Sequence, residues 1–327
     1  MFSWILAFRL LVSSNLLALK IFLMHLFYST RLKMRLISSF GKALFSLALL
    51  LFSFQSFAQI NWTAQSSAAD NSWNSVTYGN GVFVAVSSDG DPTRAMTSPD
   101  GITWTMRTLD VGRAVTYGNG LFVAVGANKV STSPDGITWT SRTPAGNTTW
   151  QSVTYGNGLF VAVSLLGPVM TSPDGITWTS RSPAVYNSWN SVTYGNGLFV
   201  AVSTSGSGDR VMTSPDGIVW TSRTTPVDNE WRSVTYENSL FVAVSSTGTG
   251  NRVMTSPDGI TWSTRTSAVD NDWNGVTYGN GVFVAVARSG VGNRVMTSSS
   301  AVSRLTIDAI ANQYYTGSAL TPSIVVK

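Results

Sequence analysis

Six side chains in this sequence combine a residue type and a position that could bind a ligand. Five are tryptophans that open equivalent apolar segments, and the sixth is an arginine beside Gly112, which replaces the tryptophan once. These candidates are Trp73, Trp150, Trp189, Trp231, Trp273 and Arg113. An indole ring at the mouth of a cavity can stack on a sugar face. The rings could instead pack between structural repeats, and the sequence leaves both interpretations open.

Catalytic side chains are scarce. The chain has no cysteine, and its single histidine, His25, lies in the apolar N-terminal segment. The body of the chain therefore lacks a thiolate nucleophile and the usual general base. The only glutamates are Glu230 and Glu237, and one arginine recurs at the same place in five repeats, which indicates a structural or surface role. The sequence predicts a protein that is not an enzyme.

Several aspartates precede the tryptophan segments and are the candidate metal ligands. They are Asp70, Asp228, Asp270 and Asp272, with Asp209 from a nearby segment. Carboxylate oxygens suit calcium, but this spacing matches no calcium loop, and capping or turn roles are the alternative. No glycine cluster precedes a helix, so no phosphate-binding loop is expected. We predict no cofactor and leave calcium open.

A motif of the form Ser-Pro-Asp-Gly-Ile-Thr-Trp occurs five times. Proline presets φ, aspartate can bind its own backbone and glycine accepts positive φ, so the motif predicts a tight turn running into a strand. Because it recurs in almost every repeat, it cannot mark a unique site. We predict a structural turn role for its aspartates, Asp100, Asp135, Asp174, Asp216 and Asp258.

A second block, Trp-x-Ser-Val-Thr-Tyr-Gly-Asn-Gly-Leu-Phe-Val-Ala-Val, occurs in six variants spaced 38 to 42 residues apart. A period near 40 made only of β-type segments predicts propeller blades. In the first unit the expected strands are A, residues 73–78; B, residues 82–87; C, residues 94–98; and D, residues 102–108. The predicted fold is an all-β, six-bladed β-propeller with four-stranded blades.

The last repeat lacks its fourth strand. Residues 60–74 align without gaps on residues 260–274, which puts Trp62 in the tryptophan position of the missing strand. The first strand of the mature protein is therefore expected to complete the last blade, so that the ring closes with few exposed edges. We place the propeller at residues 59–300 and expect it to be monomeric.

The N-terminus carries an export pattern. Arg35 and Lys42 precede an apolar run over residues 43–54, and Ser56 and Ala58 suit a cleavage site, so residues 34–58 predict a signal peptide. Residues 1–33 are an apolar extension that is either upstream of the true start or a membrane anchor. We expect a bacterial protein that is secreted or at the cell surface, with membrane contact only through these segments.

The repeats resemble those of secreted bacterial β-propellers of the sialidase-like, Asp-box (BNR-like) group over residues 60–300. That group's box is Ser-x-Asp-x-Gly-x-Thr-Trp, whereas here Gly101 follows Asp100 directly, so the box is shortened. The resemblance implies that the box is a structural hairpin, and that an active relative would need three arginines, a tyrosine–glutamate pair and an acidic aspartate. No such set is identifiable here. Residues 301–327 resemble the start of a bacterial immunoglobulin-like module, with a plain tail as the alternative.

The charge balance and the loops that vary between repeats limit the classes of function that the sequence supports. Six of the 21 Lys and Arg residues lie within residues 1–58, which leaves 15 basic against 16 acidic residues and no footprint for nucleic acid. The B–C and D-to-A loops vary between repeats, as a binding face or drifting loops would. We predict an exported, non-catalytic binding or adhesion module for carbohydrate, another extracellular polymer or protein. The alternatives are a structural spacer and a sialidase-like glycoside hydrolase.

Overall fold

Twenty-three β-strands make up the described part of this computed structural model, which covers residues 65–165 and 167–298. The strands form six antiparallel sheets, five of four strands and one of three, arranged as the blades of a six-bladed propeller. No helix occurs in these two ranges, and accordingly none there could span a membrane. The predicted fold class is confirmed.

Each blade follows the chain from its first strand to its last. Blade one comprises β1 Trp73–Gly79, β2 Val82–Ser87, β3 Ala95–Ser98 and β4 Thr105–Arg107. Blade two comprises β5 Ala114–Gly118, β6 Leu121–Gly126, β7 Lys129–Ser133 and β8 Thr140–Arg142. Blade three comprises β9 Trp150–Gly156, β10 Leu159–Ser164, β11 Val169–Ser172 and β12 Thr179–Arg181.

The other three blades repeat this order. Blade four comprises β13 Trp189–Gly195, β14 Leu198–Ser203, β15 Val211–Ser214 and β16 Thr221–Arg223. Blade five comprises β17 Trp231–Glu237, β18 Leu240–Ser245, β19 Val253–Ser256 and β20 Ser263–Arg265. Blade six comprises β21 Trp273–Gly279, β22 Val282–Ala287 and β23 Val295–Thr297.

Four predictions fall outside the described ranges. They concern the extension at residues 1–33, the signal peptide at residues 34–58, the closing strand at residues 60–62 and the module or tail at residues 301–327. They stay predictions.

The hairpin between the first two strands of a blade is a two-residue turn with positive φ at both positions. In blade one these residues are Asn80, at φ 48°, and Gly81, at φ 78°. Such turns match the right-handed twist of the flanking strands, and asparagine and glycine tolerate the left-handed region best. The Gly-Asn-Gly segments therefore fix the register of β1 on β2 and of the equivalent pairs.

The outer strand is shorter than the sequence predicted. In blade one the expected strand at residues 102–108 is only Thr105–Arg107. The reason is the aspartate of the turn: Asp100 Oδ1 accepts hydrogen bonds from the backbone N of Ile102 at 2.8 Å and of Thr103 at 2.9 Å. These two amides serve the turn and cannot join the sheet ladder.

Neighbouring blades meet through a tyrosine that lies on a glycine. The Tyr194 ring of blade four covers Gly156 of blade three, so closely that a Cβ on Gly156 would lie 2.1 Å from Tyr194 Cγ. Beside this contact, the backbone N of Val192 donates to Ser152 Oγ at 3.2 Å. Glycine is thus required where the inner strands approach most closely.

The sixth blade borders an open apolar cavity. Its volume is about 540 Å³, and it lies between blades five and six. Its lining includes Val242, Val244, Val253, Phe283 and Met296. The equivalent side chains around blade three enclose Trp178, which stands just before the outer strand β12.

Candidate ligand site at the channel

The tryptophans that open the inner strands are core residues. Trp150, Trp189, Trp231 and Trp273 are fully buried, and Trp73 is partly buried. Each buried ring fills a hydrophobic cluster between two blades, as Trp189 does against valines of blade three. No face of these four rings is open to a sugar, so their positions are those of the packing alternative. Only Arg113, among the six candidates, opens onto the channel.

The residue after each tryptophan faces the channel instead. In blade one the register passes from Trp73 opposite Ser87 to Ser75 opposite Val86, so Asn74 is an extra residue in the strand. The same β-bulge occurs in blades three, four, five and six. A bulge leaves one residue unpaired and redirects its side chain. The bulge therefore points the polar side chain of its extra residue into the channel, while the residues on either side keep the normal alternation of a strand.

These bulge residues and their blade-two counterpart form what we call the channel ring. Its members are Asn74, Arg113, Gln151, Asn190, Arg232 and Asn274. The ring is tied together across blade boundaries: Asn190 Nδ2 donates to the carbonyl of Arg232 at 2.6 Å, and Arg113 Nε donates to Gln151 Oε1 at 2.8 Å. The ring is thus a preorganised set of amide and guanidinium groups.

All six ring members line one cavity of about 260 Å³. Arg288, which follows β22 in blade six, completes its lining, together with serines, Ala114 and Gly275. Three arginines of the described ranges therefore face this space, and no aspartate or glutamate is among the described residues that line it. A volume near the lower end of the roughly 300–1,000 Å³ typical of ligand pockets suits a small group or one unit of a polymer.

The environment of Arg113 in the cavity lowers the pKa of its guanidinium group. Loss of hydration inside the channel, with smaller contributions from the positive charges of Arg288 and Arg232, holds the pKa of Arg113 below its ordinary value. Its Gln151 partner is buried, and Gln151 Nε2 has no hydrogen-bond partner among the described residues. A buried donor without an acceptor is costly, so this amide is available for an oxygen that enters the cavity.

A second cavity of about 250 Å³ adjoins the first and contains the carboxylates of the site. Glu230 and Asp272 line it with Arg232 and Arg288. Glu230 forms a short ion pair with Arg232, and Asp272 Oδ1 lies 3.4 Å from Nη1 of Arg252. Each carboxylate therefore has a guanidinium partner, whereas Arg113 and Arg288 form no salt bridge within the described ranges.

The variable loops around the channel mouth are held in place by a repeated asparagine. Asn229 Nδ2, before β17, donates at 3.0 Å to the carbonyl of Asn251 in the loop before β19. Asn71, Asn187 and Asn271 make the equivalent bond in blades one, four and six. In these four blades the bonds join the D-to-A loop to the B–C loop. The loop residues that vary between blades are therefore held by a fixed set of hydrogen bonds.

The candidate calcium ligands do not converge in the described residues, where no group of three or more acidic or histidine side chains could hold a metal. Asp228 Oδ1 instead accepts a hydrogen bond from the backbone N of Gly208 at 2.7 Å and lies 3.7 Å from Nε of Arg210. Asp270 does the same with Gly250 and Arg252. These aspartates act as loop caps.

Sequence reasoning identified Arg113 but missed Gln151, Arg232 and Arg288. The available signal was the position after the tryptophan, which is Asn, Arg or Gln, whereas a tryptophan precedes it in five blades and a serine follows it in four. Strand alternation alone cannot predict a bulge, so the inward direction of that position was not evident. Arg288 was also detectable, since the other five blades place Ser, Ala, Leu, Thr or Ser after the second strand.

No protein-family model and no curated protein sequence matches this chain. The fold is similar to solved propellers. For virginiamycin B lyase from Staphylococcus aureus the TM-score is 0.59 at 12% identity, covering 71% of this chain and 85% of that one. For YCF48 bound to D1 peptide the TM-score is 0.55 at 15% identity, covering 73% and 81%. For the computationally designed Ika8 protein it is 0.52 at 13% identity, covering 70% and 71%. Identities this low establish the fold alone.

Proposed function

We propose that this chain is an exported, non-catalytic binding module that holds an extracellular polysaccharide or a related polymer at its channel mouth. The observation that carries the proposal is the channel ring. Six equivalent positions contribute three kinds of polar side chain, Asn, Gln and Arg, to one cavity, whereas the turns at the other end of the blades repeat almost unchanged. A rigid scaffold with diversity concentrated at one mouth is the usual architecture of a binding face.

Carbohydrate is the ligand class that this lining favours. Amide side chains such as Asn74, Asn190 and Asn274 both donate and accept hydrogen bonds, as sugar hydroxyls do. Among the described residues that line the ring cavity, Ala114 is the only one with an apolar side chain, which gives little surface to an apolar peptide side chain. The signal-like segment at residues 34–58 supports export, and the repeats support a place in the sialidase-like Asp-box group. An immunoglobulin-like module after the propeller belongs to the same proposal.

A hydrolase is the second candidate, because Glu230 and Asp272 line one cavity. Glycosidases that use two carboxylates need one as acid and one as base or nucleophile. Both carboxylates here already have arginine partners, which favours a positioning role. The same fold accommodates either activity, since the similar structures include virginiamycin B lyase and YCF48 bound to D1 peptide.

A polysaccharide screen tests the proposal. The full chain is titrated with neutral and acidic polysaccharides, with calcium and with chelator, while released reducing ends are measured. We expect saturable binding without product release, and binding unchanged by chelator. No binding to any polymer would contradict the proposed function and favour a structural spacer. Product release that Glu230→Gln or Asp272→Asn abolishes would establish the hydrolase instead.

A further inference from the structure

The ring cavity has an unbalanced charge that the binding proposal alone does not explain. Arg113, Arg232 and Arg288 line it, and no carboxylate is found in the part of the lining that the structure describes. Glu230 compensates Arg232 from the adjoining cavity, which leaves two arginines without an ion-pair partner in the described ranges. Like charges gathered in a partly desolvated space are unfavourable unless an anion joins them.

We propose that this cavity binds the anionic group of an acidic polysaccharide, either a carboxylate or a sulfate. The inference rests on the proposed function and specifies its ligand. Arg113 donates its Nε to Gln151, and its two terminal nitrogens have no hydrogen-bond partner among the described residues, so they can bind an anion. A guanidinium fork suits paired oxygens. Arg288 faces the same space from blade six.

Gln151 supplies the second, independent observation. The residue is 7% exposed, and its Oε1 accepts the bond from Arg113, so Nε2 is not used by that arginine. Nε2 is buried without a partner among the described residues while Gln151 lines the cavity. An anionic oxygen held by Arg113 would take this hydrogen bond as well. Binding of the anion would therefore remove the energetic cost of leaving this N–H group buried without an acceptor.

The remaining lining favours a sugar acid over an acidic peptide. The cavity wall is made of asparagines and serines from successive blades, such as Asn190 and Ser191. These groups match hydroxyls arranged around a ring. The Asn190 amide is itself anchored to the Arg232 carbonyl at 2.6 Å, so the wall is rigid before the ligand arrives.

The test measures binding of the full chain to four probes at low salt and at about 0.15 M salt. The probes are polygalacturonate, its methyl-esterified form, chondroitin sulfate and poly-glutamate. We expect polygalacturonate or chondroitin sulfate to bind at least tenfold more tightly than the methyl ester, and salt to weaken the interaction. Preference for polygalacturonate indicates a carboxylate site, whereas preference for chondroitin sulfate, which carries both carboxylate and sulfate, indicates that the sulfate contributes to binding.

Two variants address the residues, with a matched control. Arg113→Gln should weaken binding of the acidic polymer about tenfold or more. Gln151→Glu should do the same without lowering the melting temperature, because the new carboxylate would pair with Arg113 and occupy the place of the anion. Arg142→Gln, on the outer strand β8, removes an equal charge away from the channel and should leave binding unchanged.

The two proposals fail in different ways. Equal affinity for the methyl-esterified polymer, or unchanged affinity in Gln151→Glu, would overturn the anion site while the binding module stands. Binding of poly-glutamate in preference to both acidic polysaccharides would overturn it in favour of an acidic peptide partner. If no polymer binds, the titration is repeated with galacturonate and inorganic sulfate. If galacturonate or sulfate then binds saturably and Gln151→Glu abolishes this binding, the anion site is supported without the polymer-binding function. If neither probe binds, the anion site is overturned.

Discussion

At the scale of residues, the turn aspartates show how one side chain can set a local structure five times. Asp174 Oδ1 accepts hydrogen bonds from the backbone N of Ile176 at 2.8 Å and of Thr177 at 2.9 Å, and from Ser172 Oγ at 2.8 Å. The backbone bond from Thr177, followed by that from Ile176, holds the pKa of Asp174 below its ordinary 3.8. Asp100, Asp135, Asp216 and Asp258 repeat this arrangement.

These carboxylates predict an acid-sensitive fold. Because each folded aspartate binds its proton less tightly than the unfolded chain does, the ionised turns stabilise the protein above pH 3.8. That stabilisation is lost as the pH falls below 3.8 through the lowered folded values. Asp174→Asn should lower the melting temperature at pH 7 by about 2–4 °C and make its decline between pH 5 and pH 3 less steep.

Thermal melts followed by circular dichroism across this pH range are the measurement. Asp70→Asn is the control, since Asp70 lies outside the repeated turns and forms no side-chain hydrogen bond within the described ranges. The same loss in both variants at pH 7, or an unchanged pH profile in Asp174→Asn, would contradict the assigned role.

Residue-scale prediction from the sequence succeeded where chemistry is local. Pro-Asp-Gly and Gly-Asn-Gly specify turns through φ preferences and short hydrogen bonds, and both turns occur as expected. It failed for Gln151, because the direction of that side chain depends on a bulge created by pairing with the neighbouring strand. The indole rings were ambiguous for a related reason: their burial depends on a blade some forty residues away.

At the scale of elements, the contact between blades depends on glycine at the end of each inner strand. Replacing Gly156 with alanine would place a methyl carbon 2.1 Å from Tyr194 Cγ, so the ring or the strand must move. We expect Gly156→Ala to reduce the free energy of unfolding by about 1–3 kcal/mol, the usual cost of overpacking a tight contact.

Denaturant titration of the pair Gly156→Ala and Gly279→Ala measures this effect. Gly279 holds the same repeat position in blade six, but a Cβ there would meet no described atom within 4 Å. The control variant should therefore unfold close to the wild type. Equal destabilisation of the two variants would show that the cost arises in the backbone and not at the tyrosine contact.

The outer strands were predicted less well than the inner ones. The inner strand and its partner carry the apolar run Val-Phe-Val-Ala-Val and a tight hairpin, which together specify type, length and register. The outer strand pairs on one side only, and the aspartate of its turn takes two of the amides that the sequence assigned to it. The turn aspartate and the neighbouring strand thus compete for the same backbone amides, and this competition sets the length of the outer strand.

The apolar cavity beside blade six lies where a tryptophan of the outer strand is found in other blades. Most of the side chains that cluster with Trp178 between blades two and three have a counterpart in the lining of this cavity, including Val242, Phe283 and Met296. A tryptophan preceding an outer strand is what fills this position in blades three, four and five. The sequence assigns Trp62 to it, and residue 62 lies outside the described ranges.

At the scale of the whole molecule, the repeat makes the fold predictable and hides the site. A structure assembled from similar units places equivalent residues at equivalent depths, so the period and the strand pattern were sufficient for the six-bladed propeller. The same equivalence means that a site can arise only where the units differ. Gln151, Arg232 and Arg288 are such differences, and they come together only when the inner strands converge on one channel.

The measurement that tests this account most directly is a hydrogen-exchange footprint of the full chain with the polysaccharide that binds it most tightly. We predict slower exchange at the channel mouth, in segments 72–75, 112–114, 150–152, 188–191, 230–233 and 272–275 and around Arg288, and no change at the Pro-Asp-Gly turns. Protection confined to those turns, or spread evenly over the blades, would contradict a ligand site at the channel ring.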